Sequence, residues 1–145
     1  MNVVEIRVIN VDNPLCMGEL ESFCLDVLKE IKKERWSVSV VICDDSFIRE
    51  LNRTYRGIDT PTDVLSFPQD TGLSPNEIHV AGDVVVSLET MKKNSVAVNV
   101  SEVDEMKRLL VHGILHLNGM DHEKNATEGG MLDVQEDILR KLSGV

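Results

Sequence analysis

Apolar and polar residues alternate in "VVEIRVI" (3–9), which predicts a strand. Helical spacing replaces the alternation from about Leu15 to Lys33, where Leu20, Phe23, Leu25, Val27, Leu28 and Ile31 form an apolar face opposite charged residues. "WSVSVVIC" (36–43) returns to a strand pattern rich in β-branched residues. Asp44 or Asp45 is placed to cap a short helix reaching about Asn52, with Phe47, Ile48 and Leu51 turned inward. "TDVLSF" (62–67), bracketed by Pro61 and Pro68, reads as a short strand, and "QDTGLSPNE" (69–77) as a loop. "HVAGDVVVSL" (79–88) is another strand, in which Gly82 marks a bulge or a close backbone approach. Helical spacing resumes over Glu89–Asn99. Ser101, followed by Asp104 and Glu105, predicts the capped, acidic start of a helix that runs to Asn118 and stops at Gly119. A last helix is expected over Thr127–Leu142, with Met131, Val134, Ile138 and Leu142 on one stripe.

The resulting order is β-α-β-α-β-β-α-α-α. Strands come early and helices gather late, so the expected class is α+β with one small mixed sheet. No repeat, low-complexity tract or linker interrupts the pattern, and residues 1–145 are expected to form a single domain. Apolar content of 42% and charged content of 28% are ordinary for a soluble globular chain. No apolar run approaches the roughly 18 residues of a membrane span. The strand-like amino terminus has no basic start followed by an apolar block, so a cytoplasmic location is expected. Cys16, Cys24 and Cys43 are odd in number and lack CxxC spacing, which predicts buried thiols rather than a disulfide framework or a zinc knuckle. A net charge of −10 argues against broad nonspecific nucleic-acid binding but leaves room for a local basic cleft.

Chemistry concentrates in "HGILHLNGMDH" (112–122), which holds three of the four histidines. His112 and His116 lie one turn apart on one helix face, the spacing by which a helix offers two imidazoles to one metal. Gly119 can adopt the left-handed conformation that ends a helix and reverses the chain, bringing His122 back as a third ligand. Three imidazoles leave a coordination position open, as in catalytic rather than structural zinc sites. Nickel, copper and iron also accept imidazole, so zinc is a preference. The ligand spacing is that of the long zinc-protease motif, but Gly113 stands where those proteases carry a general-base glutamate. Peptide hydrolysis without that base would lose roughly 10²–10⁴-fold in rate, which implies a different substrate. His79, at the start of a distant strand, reads as an ordinary exposed histidine.

A second cluster is "LNRTYRGIDTPTDVLSF" (51–67). Arg49, Arg53 and Arg56 recur at three-to-four spacing and can form one cationic stripe. Arg49 and Arg53 read as solvated charges at a helix end. Arg56 sits in a Tyr-Arg-Gly turn before a strand, where a guanidinium can be held over a cleft to bind phosphate. Lys92, Lys93, Lys107 and Arg108 are further sources of local positive charge and read mostly as surface residues.

Taken together, "LNRTYRGIDTPTDVLSFP", "AGDVVVS" and "HGILHLNGMDH", in this order and spacing, resemble the YbeY family of bacterial rRNA maturation factors, described as single-strand-specific metallo-endoribonucleases. The resemblance covers nearly the whole chain. It implies a small mixed four-stranded sheet surrounded by about five helices, with a zincin-like metal-binding helix and the metal in a cleft. It further implies His112, His116 and His122 as metal ligands and Arg56 as the cleft arginine. Met120 departs from the tyrosine common in the family, at a position that is not a ligand. The expected activity is zinc-dependent hydrolysis of single-stranded RNA, in 16S rRNA 3′-end maturation and ribosome quality control, with rRNA, the ribosome and ribosomal proteins as partners. The strand beginning at Thr62 is placed to wall the cleft. Asp121 orients His122 or another ligand, helps activate water, or caps the turn after Gly119. A non-catalytic, metal-stabilised ribosome-assembly factor is the alternative, and a zinc peptidase the third reading.

Overall fold

The computed structural model describes residues 1–14, 16–69, 77–119 and 130–143. Its elements are β1 (Val3–Val8), α1 (Met17–Glu30), β2 (Trp36–Cys43), α2 (Asp45–Arg56), β3 (Val64–Pro68), β4 (His79–Ser87), α3 (Leu88–Ala97), α4 (Glu102–Leu117) and α5 (Met131–Ser143). The strands form one mixed sheet in the order β1-β2-β4-β3. β1 and β4 each run parallel to β2, while β3 is antiparallel to β4. The class and the element order are those the alternation predicts.

Strand alternation divides the core between the two faces of the sheet. On one face Val38, Val40 and Ile42 of β2 and Val84 and Val86 of β4 meet Leu20 and Leu28 of α1 and Met106, Leu110 and Ile114 of α4. Helices α3 and α5 complete this layer through Met91, Met131 and Ile138. The other face sends Val41, Cys43, Leu65 and Val85 against Ile48 of α2. Each fully buried aliphatic side chain stabilises the fold by about 1.5–3 kcal/mol, so the α4 layer, the larger of the two, dominates. All three cysteines are buried and unpaired, and burial pushes the Cys24 and Cys43 thiols up to about 12.

Several boundaries differ from expectation for identifiable reasons. α2 continues one turn past Asn52, because the Asn52 side chain is buried and donates to Thr60 O at 2.9 Å rather than competing with its own backbone. The helix stops only at Gly57, whose φ of +72° is left-handed. α1 begins at Met17 and ends at Glu30 instead of reaching Lys33. β3 starts at Val64 because the Asp63 side chain accepts the Val64 N–H at 2.8 Å. α5 is described from Met131; residues 127–129 of its expected start lie outside the described residues. His79 is half-buried, its ring centroid 5.4 Å from that of Trp36, and not the exposed histidine expected.

Both readings of Gly82 hold. The β2–β4 register shifts between Ser37 and Val38, leaving Ala81 as the extra residue of a bulge. At φ +138°, a Cβ on Gly82 would stand 2.2 Å from Phe67 O.

Edge strand β3 positions the site. Asp63 O accepts from Ser87 N and Gln69 N donates to Ala81 O, each at 2.9 Å, so odd-numbered residues pair with β4. Residues 64, 66 and 68 therefore turn their backbone groups outward along the sheet edge. Pro68 has no N–H and Asp63 occupies that of Val64, which blunts the edge against strand addition.

Candidate metal-binding cleft

A cleft of about 510 Å³ opens between the C-terminal turn of α2, the outer edge of β3 and the C-terminal half of α4. Arg56, Val64, Ser66, Pro68, His112 and His116 line it. A larger cavity, about 740 Å³, lies beyond the ends of β1 and β2. Its charged lining is Asp12, Asp44, Glu89 and Glu102 against Lys92, which is poor chemistry for a phosphate.

Helix α4 carries the two histidines of the cleft. Its first turn is capped by Ser101 Oγ, which accepts from Asp104 N at 3.1 Å. Its last turn ends at Asn118, with Gly119 at φ +81° and Gly119 N donating to His116 O at 3.0 Å. His112 Nε2 and His116 Nε2 lie 3.1 Å apart. Two nitrogens bound to a tetrahedral ion at the usual Zn–N length stand about 3.3 Å apart, so the pair fits a shared metal.

A third residue fixes the chemistry of this pair. His112 Nδ1 lies 2.8 Å from Gln135 Oε1 on α5, and Gln135 is 2% exposed. An amide oxygen only accepts, so Nδ1 carries the proton and the Nε2 lone pair faces His116. This is how a ligating imidazole is held in the metal-binding tautomer. Sequence reasoning missed Gln135. The signal was there, since it is a polar residue four positions after Met131 on the buried face of α5.

The third expected ligand, His122, lies outside the described residues, as do Met120 and Asp121. Among the described residues, no group of three or more His, Cys, Asp or Glu side chains is arranged to hold a metal. The structure therefore brings together two of the three predicted histidines.

Arg56 belongs to the last turn of α2 rather than to a turn before the strand. Its Nη2 donates to Ser66 O at 2.8 Å, tying the guanidinium to the outward edge of β3. The guanidinium carbon lies 5.8 Å from the Phe67 ring centroid. Arg49, Arg53 and Arg56 share one face of α2 by their spacing, but two of the three charges are paired. Arg49 pairs with Asp59 at 3.0 Å and Arg53 pairs with Glu50, all of them exposed. Lys107 bonds Glu19 at 3.1 Å, and Lys93 approaches Asp45 at 3.9 Å. Arg108 is no simple surface charge, because it grips the fully buried Glu105 through two bonds of 2.9 and 2.6 Å.

Gly113 has a steric explanation. A Cβ there would meet Val84 Cγ1 at 2.5 Å and Ser66 Oγ at 3.2 Å. Ser66 Oγ also donates to Gly113 O at 2.9 Å, fastening α4 to β3. Position 113 faces the sheet, with no room for a glutamate.

Comparison with known proteins gives a consistent result. The family model described as Endoribonuclease YbeY matches residues 7–143. A Treponema denticola protein named Endoribonuclease YbeY is 47% identical over 123 residues, covering 83% of this chain and 79% of the relative. Its namesake in Persephonella marina is 40% identical over 117 residues, covering 80% and 76%. A Thermotoga maritima protein solved in solution superposes with a TM-score of 0.64 at 25% identity, covering 96% of this chain and 89% of that one.

Proposed function

The chain belongs to the Endoribonuclease YbeY family, and on that premise we propose that it cleaves single-stranded RNA with a zinc ion held by His112, His116 and His122. The observation that carries this reading is the convergence of the His112 and His116 Nε2 atoms in the cleft that Arg56 also lines. α4 then serves as a zincin-like metal-binding helix. When bound, the metal supplies Lewis-acid activation of water and polarisation of a phosphoryl oxygen.

The chain's own residues supply the rest. Gln135 holds His112 in the tautomer that presents Nε2. Arg56 uses one N–H on Ser66 O, which orients the guanidinium, and its remaining donors are available to a phosphate. There it offsets the negative charge that grows on the phosphorus oxygens as the nucleophile adds. β3 forms one wall of the cleft. Its blunted edge does not favour an extended peptide, which would bind by strand addition. That wall and the absence of a base at Gly113 both weigh against a peptidase.

The physiological substrate we propose is the 3′ region of 16S rRNA, processed in the cytoplasm by one domain spanning residues 1–145. With a net charge of −10, and with Arg49, Arg53, Lys107 and Arg108 in ion pairs, the body of the protein has little to hold naked RNA. This favours delivery of the substrate on the ribosome, with ribosomal proteins as contacts. The test is substrate class. Protein stripped with a chelator and reloaded with zinc should cut a labelled strand spanning the 16S 3′ end, spare the same strand in a duplex, and leave an unstructured protein intact. Cleavage of the protein would establish the peptidase reading. Loaded protein that cuts no free RNA and no RNA on ribosomal particles, yet binds those particles, would establish an assembly factor.

A further inference from the structure

Five aromatic residues of the Phe, Tyr and Trp classes occur in the chain, and Tyr55 is its one tyrosine. It precedes Arg56 in the last turn of α2 and is 66% exposed. Among the described residues it is the one aromatic in the set of exposed large apolar side chains, the others being Met, Val, Ile and Leu. Its ring meets Phe67 edge-to-face, with centroids 5.4 Å apart and planes at 68°. Phe67 in turn carries the Arg56 guanidinium at 5.8 Å. Three planar groups thus connect, from Tyr55 through Phe67 to the arginine that lines the cleft with His112 and His116.

Strand alternation gives this chain a direction. Ser66 bonds α4 on one face of the sheet, while Phe67 points to the other, into the minor core. Tyr55 therefore continues the cleft around β3 onto the outer face of the sheet. A concavity of about 340 Å³ lies there, lined by Tyr55 and Phe67 with Arg7, Gln69 and Asp83 among its polar groups. An aromatic face flanked by hydrogen-bonding side chains is what receives an unstacked base. Stacking also suits this chain, because a protein of net charge −10 gains from an uncharged source of affinity for a single strand.

We infer that Tyr55 is a stacking platform for an unpaired base next to the phosphate held at Arg56, an inference that rests on the reading of the cleft as an RNA site. The base lies on the exposed Tyr55 ring while Phe67 braces that ring and the guanidinium from behind.

The experiment compares zinc-loaded wild type, Tyr55→Ala and Tyr55→Trp on a labelled oligoadenylate and on an abasic oligomer of the same length. Binding is read by fluorescence anisotropy in the cold before cleavage sets in, and KM and kcat are then read by cleavage. Tyr55→Ala should weaken oligoadenylate binding roughly 5- to 100-fold, raise KM by a similar factor and leave kcat near wild type. It should not change binding of the abasic oligomer, and Tyr55→Trp should restore oligoadenylate affinity. An equal loss on both oligomers would overturn the inference, since Tyr55 would then act by bracing Phe67 and Arg56. No loss on either would also overturn it and assign the exposed ring to another use, such as a protein contact. If wild type bound neither oligomer, the stacking platform would be overturned, while the RNA reading of the cleft would still be decided by cleavage of RNA on ribosomal particles.

Discussion

Gly113→Ala tests the packing that joins the candidate site to the sheet. An added Cβ would sit 2.5 Å from Val84 Cγ1 and 3.2 Å from both Val84 Cγ2 and Ser66 Oγ. Carbon atoms in ordinary contact lie about 3.5–4.0 Å apart, so the overlap with Val84 is roughly 1 Å. Val84 and Ile114 are fully buried, and a β-branched side chain has little rotameric freedom with which to yield. Overpacking of this kind costs about 1–3 kcal/mol. Replacing a mid-helix glycine by alanine returns about 1 kcal/mol of helix propensity. The expected net effect is a loss of about 1 kcal/mol.

A double-mutant cycle isolates the contact. Val84→Ala alone removes two buried methyl groups and should cost about 2–3 kcal/mol. In Gly113→Ala/Val84→Ala the new methyl group occupies part of the vacated space. The pair should therefore be less destabilised than the sum of the single variants, by on the order of 2 kcal/mol. Urea unfolding followed by circular dichroism, with chelator present so that metal linkage does not contribute, measures all four proteins. The reasoning is refuted if Gly113→Ala is stabilising and adds simply to Val84→Ala. α4 would then not press on β4 at this point, and the steric account of the missing glutamate would be wrong.

Two further substitutions follow from the geometry. Gln135→Ala should lower zinc affinity about 10- to 100-fold in a chelator competition while Gln135→Glu, which keeps an acceptor, retains most of it; unchanged affinity in Gln135→Ala would remove its orienting role. Burial would raise the Asp45 carboxyl, but bonds of 2.6 Å from Ser87 Oγ and from Thr90 Oγ1, with Lys93 nearby, outweigh burial and hold it below its ordinary 3.8. A carboxyl lowered in the folded state stabilises the fold fully above its unfolded value and loses that contribution as pH falls through the folded one. Asp45→Ala should accordingly cost about 1–3 kcal/mol at neutral pH, with the gap to wild type closing below pH 3.8; a gap that persists in acid would mean the charge is irrelevant.

Local pattern made the elements legible, and non-local contacts hid the rest. The alternation in "WSVSVVIC" and "HVAGDVVVSL" marked β2 and β4, but nothing local to either shows that they lie side by side and parallel, with β3 at the edge. Asn52 looks like the end of a helix until its amide is seen bonded to Thr60 O. The His112–His116 pair was readable because its spacing is a property of one helix. Gln135 was not, since its partner lies 23 residues away on another helix. Charge was the least legible feature. Glu105 reads as a first-turn acid with nothing in the sequence to show its burial, yet it is fully buried against Arg108, and whether Arg49 is free depends on where the loop after α2 leaves Asp59. Gly113 showed from sequence that a protease base is absent; only the fold shows what occupies the space.

The most direct test of the central claim is cleavage of a single-stranded 16S 3′-end RNA by wild type, His116→Ala and Arg56→Ala, with bound zinc quantified in each preparation. The account expects His116→Ala to lose both zinc and cleavage. Arg56→Ala should keep its zinc and lose about 10²–10³-fold in rate, the range for removing one charge-stabilising donor. Equal cleavage by all three proteins, or full activity in Arg56→Ala with zinc bound, would contradict it.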